Sequence, residues 1–201
     1  MNVTEAIDRI EEIHAQLAKG EIFRGYRPVP VALAGVVGLL AGWAQPRLVP
    51  PTDDLGFLAY WLAVAGFNAA LNAAVLVAAY QREANAFARR HTRQVVGQFL
   101  PCLAAGAAVS VTLPVADPHL VHILPGIWAL LFGLGLFASR PYLPRATGWA
   151  ALFDLLAGTA VLSVPFEGLT GLGWANGAVF GAGHLATAAV LYADLPRDAR
   201  E

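Results

Sequence analysis

Six long apolar stretches separated by short polar connections make up most of the chain. An α-helix needs about 20 mostly apolar residues to cross the hydrocarbon core of a bilayer, and only the first stretch is short for this. Proline and glycine gather in the connections, where helices usually end. The pattern predicts an all-α, polytopic membrane bundle of six transmembrane helices near Val29–Trp43, Gly56–Tyr80, Val95–Leu113, Leu120–Ala138, Thr147–Val164 and Leu172–Tyr192.

The first twenty residues have a different pattern. Apolar residues fall on one side and acidic residues on the other, and Asn2 with Glu5 can form a capping box. Helices that lie on anionic membranes are usually basic, so we expect this acidic helix to pack on protein. The sequence therefore predicts a cytoplasmic amphipathic helix over residues 1–20 and a six-helix transmembrane domain over residues 21–201, with no cleavable signal peptide.

The composition is typical of a chain whose surface is mainly in contact with lipid. The chain is 57% hydrophobic and 13% charged, whereas soluble domains carry about 25% charged residues. The net charge of −1 and the lack of a basic patch argue against nucleic-acid binding. Cys102 is the single cysteine, so the chain can form no intrachain disulfide and holds no cysteine-based metal motif.

The basic residues predict the orientation. When the six segments are threaded alternately through a membrane, every Lys and Arg except Arg47 falls on one side. The positive-inside rule then places both termini in the cytoplasm of an inner-membrane, multi-pass protein, which agrees with an even number of crossings. Aromatic residues near the segment ends match the expected interfacial belts: Trp43, Tyr60, Trp61 and Trp174 outside, and Tyr80, Tyr142, Trp149 and Tyr192 inside.

A weak internal repeat also appears in the sequence. Proline, glycine and leucine positions match at an offset of 95, so that segments one to three would repeat as four to six. Three segments are an odd number, and the halves would have opposite orientation, as in many transporters. The matching residues are Pro30, Gly38, Pro46 and Leu48 with Pro125, Gly133, Pro141 and Leu143.

The last apolar segment has a glycine face. Gly173, Gly177 and Gly181 recur every four residues, and His184 and Ala188 continue the same row. Small residues in such a row let two helices approach closely in lipid. We therefore expect this helix to lie centrally in the bundle, packed through its glycines.

Four polar side chains on three segments are predicted to share one layer inside the membrane. At 1.5 Å rise per residue, Asp154, Asn72 and His184 lie roughly 10–12 Å from the inner helix ends, and Asn68 lies one turn deeper. An Asp at a helix centre disfavours insertion by about 2.5–3.5 kcal/mol. Asp154 therefore needs a partner or water.

This layer has two interpretations. In the functional one, Asp154 and His184 form a protonatable pair that lines an ion or substrate path. In the structural one, Asp154 is protonated or bonded to His184, and Asn68 and Asn72 bond across helices. The first favours a transport- or channel-like protein. The alternative is a non-catalytic membrane-complex subunit or scaffold that acts through helix packing and the N-terminal helix.

Other candidates carry less weight. His119 and His122, with Asp117 nearby, could hold a metal, but polar residues are ordinary at an outer helix start, and we predict no metal site. Haem between His122 and His184 is disfavoured because the two lie at different depths. The basic loop from Arg82 to Arg93 could bind anionic lipid heads or simply fix topology.

No catalytic residue or cofactor is predicted. The sequence shows no paired carboxylates and no nucleophile pattern, so a membrane enzyme is the least favoured class. The expected partners are the lipid bilayer and, as open alternatives, a second copy of the chain or another membrane protein.

Three stretches resemble small six-helix bacterial membrane proteins of unassigned function. They are EIFRGYRPVP at Glu21–Pro30, QFLPCLAAGA at Gln98–Ala107 and LPGIWALLFGLGLFASRPYLPRATGW at Leu124–Trp149. The resemblance implies a single-domain inner-membrane protein, and it implies no activity and no catalytic residue.

Overall fold

The computed structural model describes residues 28–84 and 86–194. Every regular element in these ranges is helical, which confirms the all-α class for the described part. The predicted amphipathic helix of residues 2–19 lies outside it. The helices are α1 (Pro28–Leu48), α2 (Asp54–Arg82), α3 (Ala86–Ala116), a 3₁₀ segment (Pro118–Ile123), α4 (Leu124–Ser139), a short 3₁₀ turn (Arg140–Tyr142), α5 (Thr147–Ser163) and α6 (Gly168–Ala193).

Four of the helical segments are long and apolar enough to cross a membrane, judged by length and composition. They are α1, α2, α3 and the continuous stretch Pro118–Tyr142 that contains α4. The fifth helix is apolar but has only 17 residues. The sixth has 26 residues but is less apolar than the other four, since glycines and the polar residues Asn176, His184 and Thr187 interrupt it. Four such segments indicate a membrane protein.

Two helix boundaries differ from the sequence prediction by five residues or more. The first helix continues past Trp43 to Leu48 and includes Pro46, so it is not short. The third begins at Ala86 rather than Val95, because the arginines of the predicted basic loop continue the helix. Arg89 Nε donates a hydrogen bond of 2.6 Å to the carbonyl oxygen of Glu83 and ties this helix start to the preceding connection.

Helices α1 and α6 form the most extensive pair among the described elements. A Cβ placed on Gly177 would lie 2.6 Å from the Gly42 Cα and 2.9 Å from the Gly38 carbonyl oxygen, and one on Gly35 would meet Leu185 and Gly181. Residues late in α1 therefore meet residues early in α6, so the helices are antiparallel. Glycines let the two backbones touch, as the glycine face of α6 predicts.

Helices α4 and α5 form a second glycine-mediated pair. A Cβ on Gly126 would lie 2.9 Å from the Gly158 carbonyl oxygen, and one on Gly158 would lie 2.8 Å from the Gly126 oxygen. The third helix packs on α4, where Trp128 Nε1 donates a hydrogen bond of 2.8 Å to Ser110 Oγ. Between them, these contacts arrange α3, α4 and α5 as one antiparallel layer.

The two ends of the bundle have opposite charge. One end, the acidic end, carries Asp53, Asp54, Asp117 and Glu167, and a buried apolar cluster there contains Val49, Phe57, Trp61, Val121, Leu124 and Leu169. The other, the basic end, carries Arg82, Arg89, Arg90, Arg93, Arg140 and Arg145, over a cluster of Val95, Leu136, Leu143, Ala150 and Ala151. Within the described ranges, Arg47 is the one basic residue at the acidic end, as the sequence predicts.

Helices α2 and α3 expose most of their apolar surface. Between residues 62 and 82 no residue of α2 is fully buried. Large exposed side chains include Leu62, Phe67 and Val77 on α2 and Leu100, Leu103 and Val111 on α3. Such surface is stable in contact with lipid and costly in water.

The internal repeat stays a prediction. In the described chain α1 packs mainly on α6 and only slightly on α2, whereas α4 packs mainly on its successor α5. The first helices of the two predicted halves therefore have different packing partners: α1 packs on the last helix of the bundle, and α4 packs on the next helix in the chain.

The glycine contact gives a direct stability test. We expect Gly177→Ala to destabilise the protein by about 1–3 kcal/mol, because the new methyl group meets backbone atoms that no rotamer change can move. Gly66→Ala on α2 is the matched control. Nothing lies within 4 Å of its added Cβ, and alanine favours the helix by about 1 kcal/mol over glycine. The measurement is the unfolding temperature of both variants in detergent, and equal unfolding temperatures would contradict the packing.

Candidate functional site

Asp154 is the one carboxylate among the described residues that is buried in the bundle interior. Its side chain is 1% exposed and points from α5 between α4 and α6. Its Oδ1 occupies the place that a Cβ on Gly183 would take, and its Cβ lies 3.1 Å from where a Cβ on Gly133 would be. The carboxyl group therefore fits because both facing residues are glycines.

No described residue pairs with this carboxyl group. Asp154 Oδ2 is fully buried without a hydrogen-bond partner, and no ion pair within the described ranges includes it. A buried polar atom without a partner costs roughly 1–3 kcal/mol, and more when charged. The cost is largest when the carboxyl group is ionised, and a proton or a small cation at this position would offset that charge.

His184 lies next to Gly183 but faces a different neighbour. Its ring packs on the Phe132 ring, with centroids 4.8 Å apart and planes 30° from parallel. Nδ1 lies 2.8 Å from the Phe180 carbonyl oxygen, and because a carbonyl only accepts, we assign the neutral ring's proton to Nδ1. Nε2 is then an acceptor. The predicted hydrogen bond between Asp154 and His184 is not formed.

The two asparagines of α2 do not join them either. Asn72 Nδ2 donates a 2.9 Å hydrogen bond to the Asn68 carbonyl oxygen of its own helix. Asn68 Oδ1 is buried and has no partner. No hydrogen bond within the described ranges links Asn68 or Asn72 to Asp154 or His184. The predicted layer is therefore a set of separate polar groups.

A second group of unpartnered polar atoms lies toward the acidic end. Gln45 is fully buried on α1, and its Oε1 fills the space where Gly173 has no side chain. Within the described ranges, neither polar atom of Gln45 has a hydrogen-bond partner, and the same holds for Asn176 Oδ1 and Trp61 Nε1. Gln45 is not among the predicted site residues, although its spacing from Gly38 and Gly42 places it on the glycine face of α1.

The carboxylate that contacts the two histidines at the acidic end is not the predicted Asp117. Asp54, in the first turn of α2, reaches both rings: Oδ2 lies 3.2 Å from His119 Nδ1, and Oδ1 lies 3.0 Å from His122 Nε2. Asp117 instead accepts a 2.9 Å hydrogen bond from the His119 backbone N–H and begins the 3₁₀ segment.

Two surface cavities lie away from Asp154. One, of about 990 Å³, opens at the basic end between the α4–α5 connection and the end of α6, with Arg140, Arg145 and Asp194 in its wall. The other, of about 350 Å³, lies between Phe153 and Phe166 on α5 and its following loop and Val179 on α6. Neither is lined by Asp154, His184 or the α2 asparagines, so neither gives these groups access to water.

Comparisons with family models, with curated proteins and with solved structures find no match to this chain. The resemblance to bacterial six-helix membrane proteins therefore stays a prediction.

The position of Asp154 against Gly183 can be tested by coupling. We expect Gly183→Ala to cost about 1–3 kcal/mol in the natural background, since its methyl group takes the space of the Asp154 carboxyl oxygen. The same change should cost much less in an Asp154→Ala background, where that space is empty. Unfolding temperatures of the two single variants and the double variant measure this coupling, and strictly additive losses would contradict the contact.

Proposed function

We propose that this chain is an inner-membrane protein whose six described helices all cross the bilayer, with both termini in the cytoplasm. The separation of arginines and carboxylates between the two ends supports this orientation through the positive-inside rule. The antiparallel α1–α6 pair supports it too, because it brings the start of the first helix and the end of the last to the same end. In this proposal α5 is a short crossing, and its neighbours bury its polar face.

Cysteine labelling tests this topology. With Cys102 replaced by alanine, single cysteines at Thr52 and at Ala146 lie in connections at opposite ends. We expect a membrane-impermeant thiol reagent added to intact cells to label the residue 52 cysteine, and to label the residue 146 cysteine only after the cells are opened. The reverse pattern, or labelling of both from outside, would contradict the orientation.

We further propose a transport-like role in which Asp154 binds a proton or a small monovalent cation during passage. The single observation that carries it is the Asp154 carboxyl group, which is 1% exposed and whose Oδ2 has no hydrogen-bond partner among the described residues. Ionisable groups inside a membrane are costly and most often mark an ion or substrate path. Here no structural contact offsets the cost, since the group makes no hydrogen bond to another helix of the described chain.

The size of the site limits what it can bind. The carboxyl oxygen already occupies the space left by one missing side chain at Gly183, so no organic substrate fits beside it without helix movement. A proton or a dehydrated small cation is the cargo that this geometry favours, and α6 must move against α5 to admit it.

A second candidate is the role of a membrane-complex subunit. One observation favours it: α2 has no fully buried residue between residues 62 and 82, and this stretch carries the half-buried Asn68. Asparagine side chains join transmembrane helices by hydrogen bonds across the interface, which are worth about 0.6 kcal/mol on average. In this candidate α2 packs on a second copy of the chain.

Flux measurements on reconstituted protein test the transport proposal. We expect proteoliposomes to show proton, Na⁺ or K⁺ flux under an imposed gradient, and Asp154→Asn to reduce it at least about tenfold, because asparagine keeps the shape but cannot ionise. Glu167→Gln is the matched control. It removes one carboxylate at the exposed acidic end and should leave the flux unchanged.

Two results would overturn the transport proposal. One is a natural chain that passes none of the three ions, and the other is an Asp154→Asn chain that passes them at the natural rate. If the inactive chain also has the native mass of a dimer, and Asn68→Leu converts it to a monomer, the subunit role replaces the transport role.

A further inference from the structure

We propose that Asp54, His119 and His122 form a zinc-binding site at the acidic end of the bundle. Asp54 offers one carboxylate oxygen, and each histidine offers one ring nitrogen. These three ligand atoms all lie within 4.8 Å of one another. The three residues come from two separate elements, the first turn of α2 and the 3₁₀ segment before α4. This proposal is independent of any transport through the bundle.

The distances match what a zinc ion needs. At zinc–ligand bonds of about 2.0–2.1 Å in a tetrahedral site, neighbouring ligand atoms lie roughly 3.3–3.4 Å apart. The two carboxylate–imidazole separations are 3.2 Å and 3.0 Å, each measured to a different oxygen of Asp54. When one oxygen serves both histidines, no two ligand atoms lie more than 4.8 Å apart, so each pair needs a closure of no more than about 1.5 Å. The His119 ring is 84% exposed and can make this adjustment by rotating its side chain.

The surrounding structure fixes the other two ligands. Asp54 is only 15% exposed and begins α2, whose neighbouring cap residue Asp53 accepts a 2.8 Å hydrogen bond from the Gly56 N–H. His122 follows Val121, which is fully buried in the apolar cluster at this end. The N–H of His119 is held by Asp117, which sets the start of the 3₁₀ segment. Two ligands are therefore held in place before any metal arrives.

The choice of metal follows from the donor atoms. Two imidazoles and one carboxylate suit Zn²⁺, whereas Mg²⁺ and Ca²⁺ prefer oxygen-only ligand sets. Three protein ligands leave one tetrahedral position for water, as in zinc sites with an open position. Asp53, Asp117 and Glu167 give this end a negative charge, and Arg47 is the one basic residue there within the described ranges. The local charge therefore favours a cation.

A bound zinc would tie α2 to the α3–α4 connection. Without it, the link between these elements at the surface consists of the contacts of Asp54 to the two histidines. With it, the start of α2 and the 3₁₀ segment become one rigid unit. We therefore expect the unfolding temperature of the full chain to rise when Zn²⁺ binds.

Zinc titration of the metal-stripped full chain in detergent tests the site. We expect calorimetry to show one Zn²⁺ bound per chain, and His119→Ala and Asp54→Asn each to weaken binding at least about tenfold, since even the loss of an outer hydrogen bond costs a site about that much. Asp53→Asn is the matched control. It removes the neighbouring carboxylate charge while keeping a capping side chain, so its loss of zinc affinity should be well below that of either ligand variant.

His119→Ala keeps the test decisive, because a change in a largely exposed side chain leaves the bundle folded. Co²⁺ provides the second readout. We expect the natural chain with Co²⁺ to show the visible absorption of a four- or five-coordinate site, and His119→Ala to lose it. Zinc affinity that is unchanged in His119→Ala, or absent in the natural chain, would overturn the proposal.

Discussion

The close approach of α1 and α6 at their glycines is the contact on which the rest of the bundle depends. In lipid, helices gain no hydrophobic energy by association, so packing at short range must hold them together. With no Cβ at Gly38, Gly42 and Gly177, the backbones touch, and the first described helix lies against the last. This closes the bundle, brings both ends of the described chain to the basic end, and fixes which face of α6 meets α4 and α5.

The absence of glycine side chains also makes room for the buried carboxyl group. Asp154 has room because Gly183 on α6 and Gly133 on α4 lack side chains, and α6 presents Gly183 there because α1 holds its opposite face. Gln45 repeats the arrangement against Gly173 nearer the acidic end. Missing side chains thus do two things in this molecule: they bring backbones together, and they admit single polar groups into an apolar interior.

Much of the helix arrangement could be predicted from local patterns. Hydropathy located six helical segments, and four-residue spacing identified the glycine face of α6. The start of α3 differs from the prediction, because the charge of Arg89, Arg90 and Arg93 favours a loop in a hydropathy pattern. Arginine is in fact a good helix former, and a helix end that extends beyond the lipid can carry it without cost. Charged residues indicate where a helix leaves the membrane, but they do not indicate where the helix ends.

The site was harder to predict, since it depends on which way side chains point and on contacts between distant residues. Consecutive helical residues point about 100° apart, so when Gly183 faces Asp154 its neighbour His184 cannot, and the ring packs on Phe132 instead. The histidines of the 3₁₀ segment have the distant Asp54 as partner rather than the adjacent Asp117. No local pattern contains that pairing, which follows only from how α2 packs beside this segment.

Disulfide trapping of α1 against α6 in native membranes tests the central contact most directly. Val31, Ala188 and Leu191 form one buried cluster at the basic end, while Leu172 lies in the cluster at the acidic end. With Cys102 replaced by alanine, we expect the pair Val31→Cys and Leu191→Cys to oxidise readily, and the pair Val31→Cys and Leu172→Cys to stay reduced. Rapid oxidation of the second pair with none of the first would show that α1 and α6 do not lie antiparallel along their glycines.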